Sequence, residues 1–143
     1  MNYWINTVSQ DHVATGVEGG FTQANHGSPR NLQKIECGDL LVFYSPKTNF
    51  KNGKPLQKFT AIGRITDDIP YQVEVSDDFK PFRRNVDFYD CKDASIQPLL
   101  DQLDFIENKK SWGFPFRRGL FKVSKKDFFK IAHIMEVHQN LLE

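Results

Sequence analysis

Between Leu40 and Tyr89 the chain carries four short runs, Leu40–Tyr44, Phe59–Thr66, Tyr71–Val75 and Phe82–Tyr89, separated by clusters of Gly, Pro, Asn, Asp and Lys. Each run is rich in β-branched or aromatic residues and too short for the helices of a bundle, so strands are predicted and an all-helical fold is excluded. Leu40–Tyr44 is continuously apolar, as a strand covered on both faces is, whereas Tyr71–Val75 alternates apolar with polar, as a half-exposed strand does. Asn52-Gly53, inside the polar stretch Lys47–Lys58, is a turn signal that makes a hairpin of the first two runs.

The flanking segments add strands and short helices. Tyr3–Val8 reads as an opening strand. Ser9, with Asp11 and His12 after it, is placed to cap a short helix through Val13 and Ala14 that Gly16, Gly19 and Gly20 terminate. Phe21–Arg30 shows no period, and its glycines and polar side chains predict a binding loop. Leu32–Ile35 is expected to form one helical turn, Cys37-Gly38-Asp39 to turn into the apolar run, and Ser45-Pro46 to stop it. Ser95 is expected to cap a short helix carrying Ile96, Leu99, Leu100 and Leu103, with Phe105-Ile106 docked nearby. Phe114–Val123 reads as extended and ends as a strand. Ser124, three residues before Asp127, opens a C-terminal helix with Phe128, Ile131, Ile134 and Met135 on one face. The expected fold is therefore α+β: a small, closed or nearly closed mixed β-barrel of five or six strands, flanked by short helices and followed by a C-terminal helix. No repeat or linker interrupts residues 1–143, so a single domain is expected.

Charge narrows the function. Lys and Arg total 19 against 18 Asp and Glu, which excludes a histone-like binder driven by bulk phosphate neutralisation, so any nucleic-acid contact must be local. No apolar run approaches the roughly 20 residues of a membrane span, and Met1-Asn2-Tyr3-Trp4 lacks a signal pattern. Cys37 and Cys91 stand far apart and indicate neither a zinc site nor a disulfide framework, so a reduced cytoplasm is expected. The chain holds 13 Phe, four Tyr and two Trp. Most of these rings must be core, but some sit beside Arg, Gly and Asn in turn-rich segments, where packing explains them less readily.

Several strings occur in an order that is similar to the bacterial EVE-domain proteins: Tyr3-Trp4-Ile5, Val8-Ser9, Gly19-Gly20-Phe21-Thr22-Gln23, His26-Gly27, Gly38-Asp39 and Tyr44-Ser45-Pro46-Lys47-Thr48. Phe59-Thr60-Ala61-Ile62-Gly63, Pro81-Phe82-Arg83-Arg84-Asn85-Val86, Trp112-Gly113 and Phe116-Arg117 continue it across nearly the whole chain. The resemblance implies a single EVE domain over residues 1–143, a branch of the PUA-like superfamily related to the YTH readers. It implies a small β-barrel and a pocket for a base, often a modified one. By resemblance the pocket lies near Trp4 to Ser9, the Gly20–Gly27 loop and Tyr44-Ser45.

The residues themselves offer what such a pocket needs. A base taken out of its stack must be compensated by aromatic stacking and by hydrogen bonds along its edge. Trp4, Phe21, Tyr44 and Trp112 supply rings, Ser9, Gln23, Asn25, His26 and Ser45 supply polar groups, and Gly20 permits close backbone approach. Each has a plainer role open to it. Trp4 and Tyr44 can be core, Trp112 can anchor a loop, and Gln23 can bond the backbone. Arg83, Arg117 and Lys47 are the candidate phosphate contacts, with Lys109 and Lys110 close to one of them in sequence. On extended segments neighbouring arginines point to opposite sides, so Arg84 and Arg118 are expected to be solvated or salt-bridged.

No Gly-rich phosphate loop, His-Glu-x-x-His pattern or Gly-x-Ser-x-Gly turn is present, so no catalytic residue, metal ligand or cofactor is predicted. The expected function is a nucleic-acid-binding module recognising a modified base, such as methylated cytosine or adenine, in DNA or RNA, with a separate effector protein as a possible partner and no membrane. The alternatives are a binder of, or enzyme acting on, a free nucleotide-like small molecule, and a purely structural protein-interaction domain.

Overall fold

The computed structural model describes residues 1–24 and 28–143. Along them run β1 (Tyr3–Thr7), α1 (Gln10–Gly19), β2 (Phe21–Ala24), α2 (Arg30–Gln33), β3 (Leu40–Lys47), β4 (Pro55–Ile65), β5 (Tyr71–Gln72), β6 (Phe82–Phe88), β7 (Ala94–Ser95), β8 (Leu120–Val123) and α3 (Lys125–Ile134). Six strands form one path, β2-β6-β4-β3-β1-β8, with β5 added to β6 and β7 to β4. β1 and β3 are parallel, which requires a crossover, and α1, β2 and α2 supply it. The remaining pairings are antiparallel.

Three strands separate β2 from β1 in this order, yet Asn6 Nδ2 lies 3.4 Å from Thr22 Oγ1. Only a sheet bent back on itself brings the two together, so the sheet is a curled half-barrel with β2 and β8 at its ends. This is the mixed α+β architecture, with six strands on the main path and a C-terminal helix, that the sequence predicts.

Alternation of side chains divides the core between the two faces. Trp4, Leu41, Phe43, Ala61, Ile65 and Val86 fill the concave side, where Val13 of α1 and Leu32 of α2 cover them. Ile5, Leu40, Val42, Phe59 and Ile62 take the convex side and meet Phe128 and Ile131 of α3. Burying each Val, Leu, Ile or Phe side chain among these contributes roughly 1.5–3 kcal/mol. Two buried carboxylates hold the ends of this framework. Asp39 accepts hydrogen bonds from the Asn2 and Glu36 backbone N–H and from Trp4 Nε1, each at 2.9 Å. Ser124 Oγ accepts the Asp127 N–H at 3.1 Å, as the capping pattern predicts, but the Asp127 carboxylate bonds instead to the N–H groups of Asp104 and Phe105 at 3.0 and 3.1 Å. The cap thereby pins the preceding loop to α3.

Several local expectations need correction. The first helix does not stop at Ala14 but runs to Gly19, where Gly20 takes φ 75° and donates to Gly16 O at 2.7 Å. Phe21–Ala24 is a strand, not loop, because β6 offers it a ladder that its local sequence does not advertise. Ser45-Pro46 does not end β3. The register between Ser45 and Lys47 is irregular there, and a proline without an N–H is tolerated at such a bulge. Of Tyr71–Val75 only Tyr71-Gln72 forms a ladder with β6, while the Val73 and Val75 N–H groups bond to Pro81 O and Phe79 O at 3.0 and 2.9 Å, and the segment after Ser95 forms a 3-10 turn, Gln97–Leu99, with the Gln97 N–H donated to Ser95 Oγ at 3.2 Å. Phe114–Arg118 is a 3-10 turn, and only Leu120–Val123 is extended. Among the described residues no helix is long and apolar enough to cross a membrane.

Candidate functional site

Among the described residues the two ends of the half-barrel do not pair, and a groove of about 470 Å³ lies between them. It draws Asn6 and Thr7 from β1, Gln23 and Ala24 from β2, Asn31 and Leu32 from α2, and Gly119 and Leu120 from the approach to β8. Ser9, His12 and Phe50 close one end, and Arg117 and Arg118 the other side. The volume falls within the range of small-molecule sites.

The groove is positively biased. Among the described residues its lining includes Arg117 and Arg118 and no Asp or Glu, with Asp11 just outside it beside Ser9 and His12. Neither arginine forms an ion pair among the described residues. Both are instead steadied by rings: Arg118 lies 4.7 Å from the Phe121 centroid and donates from Nε to Pro115 O at 3.4 Å, and Arg117 lies 5.7 Å from the Phe114 centroid. Between the charges sit three amides, Asn6, Gln23 and Asn31, and three hydroxyls, Thr7, Ser9 and Ser28. The Thr7 hydroxyl is buried and makes no hydrogen bond among the described residues.

An aromatic rim comes from the β3–β4 hairpin. His12 and Phe50 are stacked with centroids 5.5 Å apart and planes 22° apart. Lys47 Nζ donates to Phe50 O at 2.8 Å and lies 5.4 Å from the same ring, while the Asp11 N–H reaches back to Thr48 O at 3.0 Å. Hairpin tip and α1 are thus joined. Ser9 Oγ donates to Asp11 Oδ1 at 2.6 Å. Burial pushes the Asp11 carboxyl up, but the Ser9 hydroxyl, the His12 N–H and the His12 charge together hold it below the ordinary carboxylate range.

Beside the groove, Arg83 has its guanidinium carbon 3.7 Å from the Phe21 ring centroid and donates from Nε to Gln23 Oε1 at 2.7 Å. A Cβ at Gly19 would fall 2.3 Å from that ring, so glycine there is what lets Phe21 lie where it does. Phe21 and Gln23 also border a small depression of about 70 Å³, room for little more than water. Arg84, the neighbour of Arg83, faces the concave side and is fully buried, with Nε 2.7 Å from Asp67 Oδ1. The expected opposition of the two arginines holds.

The structure brings together only part of the predicted site. Ser9, Gln23 and Arg117 line the groove, and Phe21 and Arg83 stand next to it through Gln23. Trp4 is core and bonded to Asp39, and Gly20 caps α1. Tyr44 is buried against Phe59 and Phe116, and burial pushes its phenol well above the usual tyrosine range. Ser45 is buried and shares a 2.7 Å hydrogen bond with Thr60, and Trp112 packs edge-on to Tyr44 and Phe116 on the convex side. Lys47 serves the hairpin. Asn25 and His26 lie outside the described residues.

Sequence reasoning passed over His12, Asn6, Asn31 and Phe50 and read Arg118 as solvated or salt-bridged. Phe50 carried a usable signal, being the one aromatic residue of the polar stretch Lys47–Lys58. Arg118 is exposed, as a solvated residue is, but its segment is a 3-10 turn, where the two-residue alternation of a strand does not apply, so both Arg117 and Arg118 reach the groove.

A family model described as EVE domain matches residues 2–134. A UPF0310 protein of Mycolicibacterium vanbaalenii is 58% identical over 135 residues, covering 94% of this chain and 93% of its own. The UPF0310 protein YdcG of Bacillus subtilis is 42% identical over 137 residues, covering 96% and 94%. Two solved structures share the fold at low identity. A hypothetical protein from Leishmania major has TM-score 0.61 and 11% identity over 95% of each chain. Protein Atu2648 from Agrobacterium tumefaciens has TM-score 0.60 and 12% identity over 96% of this chain and 94% of that one.

Proposed function

The chain belongs to the EVE-domain family, which is PUA-like and often nucleic-acid binding, and on that premise we propose that it binds nucleic acid by drawing one modified base into the groove between β2 and β8. The observation that carries this reading is the lining itself: among the described residues, two arginines without an ion-pair partner, three amides and a stacked aromatic rim share one cavity that no Asp or Glu lines. A flipped base needs a ring beside it and fixed donors and acceptors along its edge, and the flanking phosphates need cations. His12 and Phe50 supply the ring system, Asn6, Gln23 and Asn31 the edge contacts, and Arg117 a phosphate contact. Arg83, its guanidinium already held by Phe21 and Gln23, is placed for a second phosphate at low entropic cost.

On this reading the protein performs no chemical step. It acts in the cytoplasm as a reader of methylated cytosine or adenine, and its consequence in the cell depends on a separate effector protein.

A free nucleotide-like ligand is the second reading, favoured by the size of the groove, which alone suffices for a mononucleotide. Titration of matched DNA and RNA oligonucleotides, with and without methylated cytosine or adenine, at two salt concentrations separates the readings. Tighter, salt-dependent binding to one modified strand is expected, and Arg117→Ala should lower the salt slope by about 1 while weakening all strands alike. Binding of the mononucleotide with no gain from the strand would turn the assignment to the free ligand.

A further inference from the structure

We propose that a second depression, lying against the same 3-10 turn as the groove, is a subsite for the nucleotide adjacent to the recognised base; the proposal rests on the groove holding a base. This depression encloses about 360 Å³ among Phe105, Ile106, Asn108, Ser111, Phe114 and Arg118, with Glu107 and Pro115 completing it. Arg118 lines both cavities, so the turn Phe114–Arg118 is the ridge between them and the Arg118 guanidinium stands at their boundary.

Three features identify the occupant. Phe114 is 68% exposed, a large ring presented to solvent from a rigid turn, because Phe116 two residues on is buried and stacked 4.1 Å from Tyr44. An exposed ring beside an arginine is a stacking surface for a base of any identity. Arg118 has no carboxylate partner among the described residues, and a phosphate linking two nucleotides is the group that would lie between a base in the groove and a base on Phe114. Asn108 and Ser111 place an amide and a hydroxyl beside the ring for the base edge. Glu107 is the one acid among these lining residues and is offset by Arg118, so the depression carries no net negative charge against a strand.

A base stacked on Phe114 has left its own duplex neighbours. The ligand is therefore a strand unpaired at two successive positions, and one flank of the recognised base contributes affinity while the other does not.

The test uses the full chain and single-stranded DNA and RNA pentamers centred on 5-methylcytosine, N6-methyladenine or their unmodified forms, taking whichever binds tightest. Each is also made with an abasic residue on the 5′ or the 3′ side of the centre, and affinities are read by fluorescence anisotropy beside the 5′-monophosphate of the central nucleoside. For the wild type, one abasic position should weaken binding about 5- to 150-fold and the other little. Phe114→Ala should weaken the intact pentamer to a similar degree and lose its sensitivity to that abasic position, with a smaller loss for the monophosphate because the same ring steadies Arg117, while Phe114→Tyr restores binding. Equal abasic costs in wild type and Phe114→Ala overturn the subsite and leave the groove standing. Binding of the monophosphate as tightly as the pentamer overturns it in favour of a free ligand, and no binding of any probe by the wild type overturns the groove and the subsite together.

Discussion

Arg84 links the stability of the fold to the shape of the groove, and replacing it by methionine tests both. Its side chain is fully buried on β6. Nε donates to Asp67 Oδ1 and Nη2 to Asp67 O, both at 2.7 Å, while Nη1 donates to Leu32 O at 2.6 Å and to Ile35 O at 2.5 Å. One guanidinium therefore holds the α2 segment, and with it the groove wall at Asn31 and Leu32, against the sheet. Methionine keeps the approximate length and the apolar stem but leaves three carbonyls, those of Leu32, Ile35 and Asp67, and the Asp67 carboxylate without their donor. Breaking a buried ion pair from one side costs about 3–5 kcal/mol. Unfolding entropy near ~2.1 cal/mol/K per residue gives ~0.3 kcal/mol/K for a chain of this length, so the melting temperature should fall by about 10–17 °C. Arg84→Lys keeps the charge but cannot reproduce the fork, and it should fall in between. Asp67→Asn combined with Arg84→Met should cost less than the sum of the two, since each removes the same pair. Thermal and urea melts followed by circular dichroism measure the wild type, Arg84→Met, Arg84→Lys, Asp67→Asn and the double variant. A loss below about 1 kcal/mol for Arg84→Met would show that the carbonyls find other partners, and the argument for Arg84 as the fastening of the groove wall would fall.

Other residues give independent checks. Asp127→Ala strands the N–H groups of Asp104 and Phe105 and should cost about 2–4 kcal/mol by urea denaturation, whereas a loss no larger than that of Ser124→Ala alone would show that the docked loop contributes nothing. Tyr44, whose buried phenol titrates above the ordinary 10.0, contributes stability that is intact below that pH and lost as the pH rises beyond it. Alkaline titration of phenolate absorbance should therefore show one tyrosine ionising only with unfolding, and Tyr44→Phe should remove that late step. Burial and then the Asp93 and Asp90 charges push the Cys91 thiol up, while Cys37 is exposed, so a thiol reagent near neutral pH should modify Cys37 first, and two equal rates would contradict the burial of Cys91.

Patterns within a few residues determined a good part of this protein. The runs at Tyr3, Leu40, Phe59 and Phe82 became β1, β3, β4 and β6, Asn52-Gly53 made the hairpin, and Ser124 capped α3, because side-chain alternation, turn chemistry and capping act between near neighbours. The alternation of Arg83 and Arg84 was equally legible, though not which of them faces inward. Tertiary structure decided the rest. Phe21–Ala24 is a strand because β6, some 60 residues away, bonds to it, with Arg83 reaching Gln23. The groove exists because a sheet of this order curls without its end strands meeting, a property of no single segment. His12 and Phe50 become a rim only when the hairpin folds onto α1, and the Thr7, Arg117 and Arg118 side chains meet them only across the open seam. A site assembled from residues that touch across a gap leaves no period in the chain, because the forces that place its members act through the fold and not along the sequence.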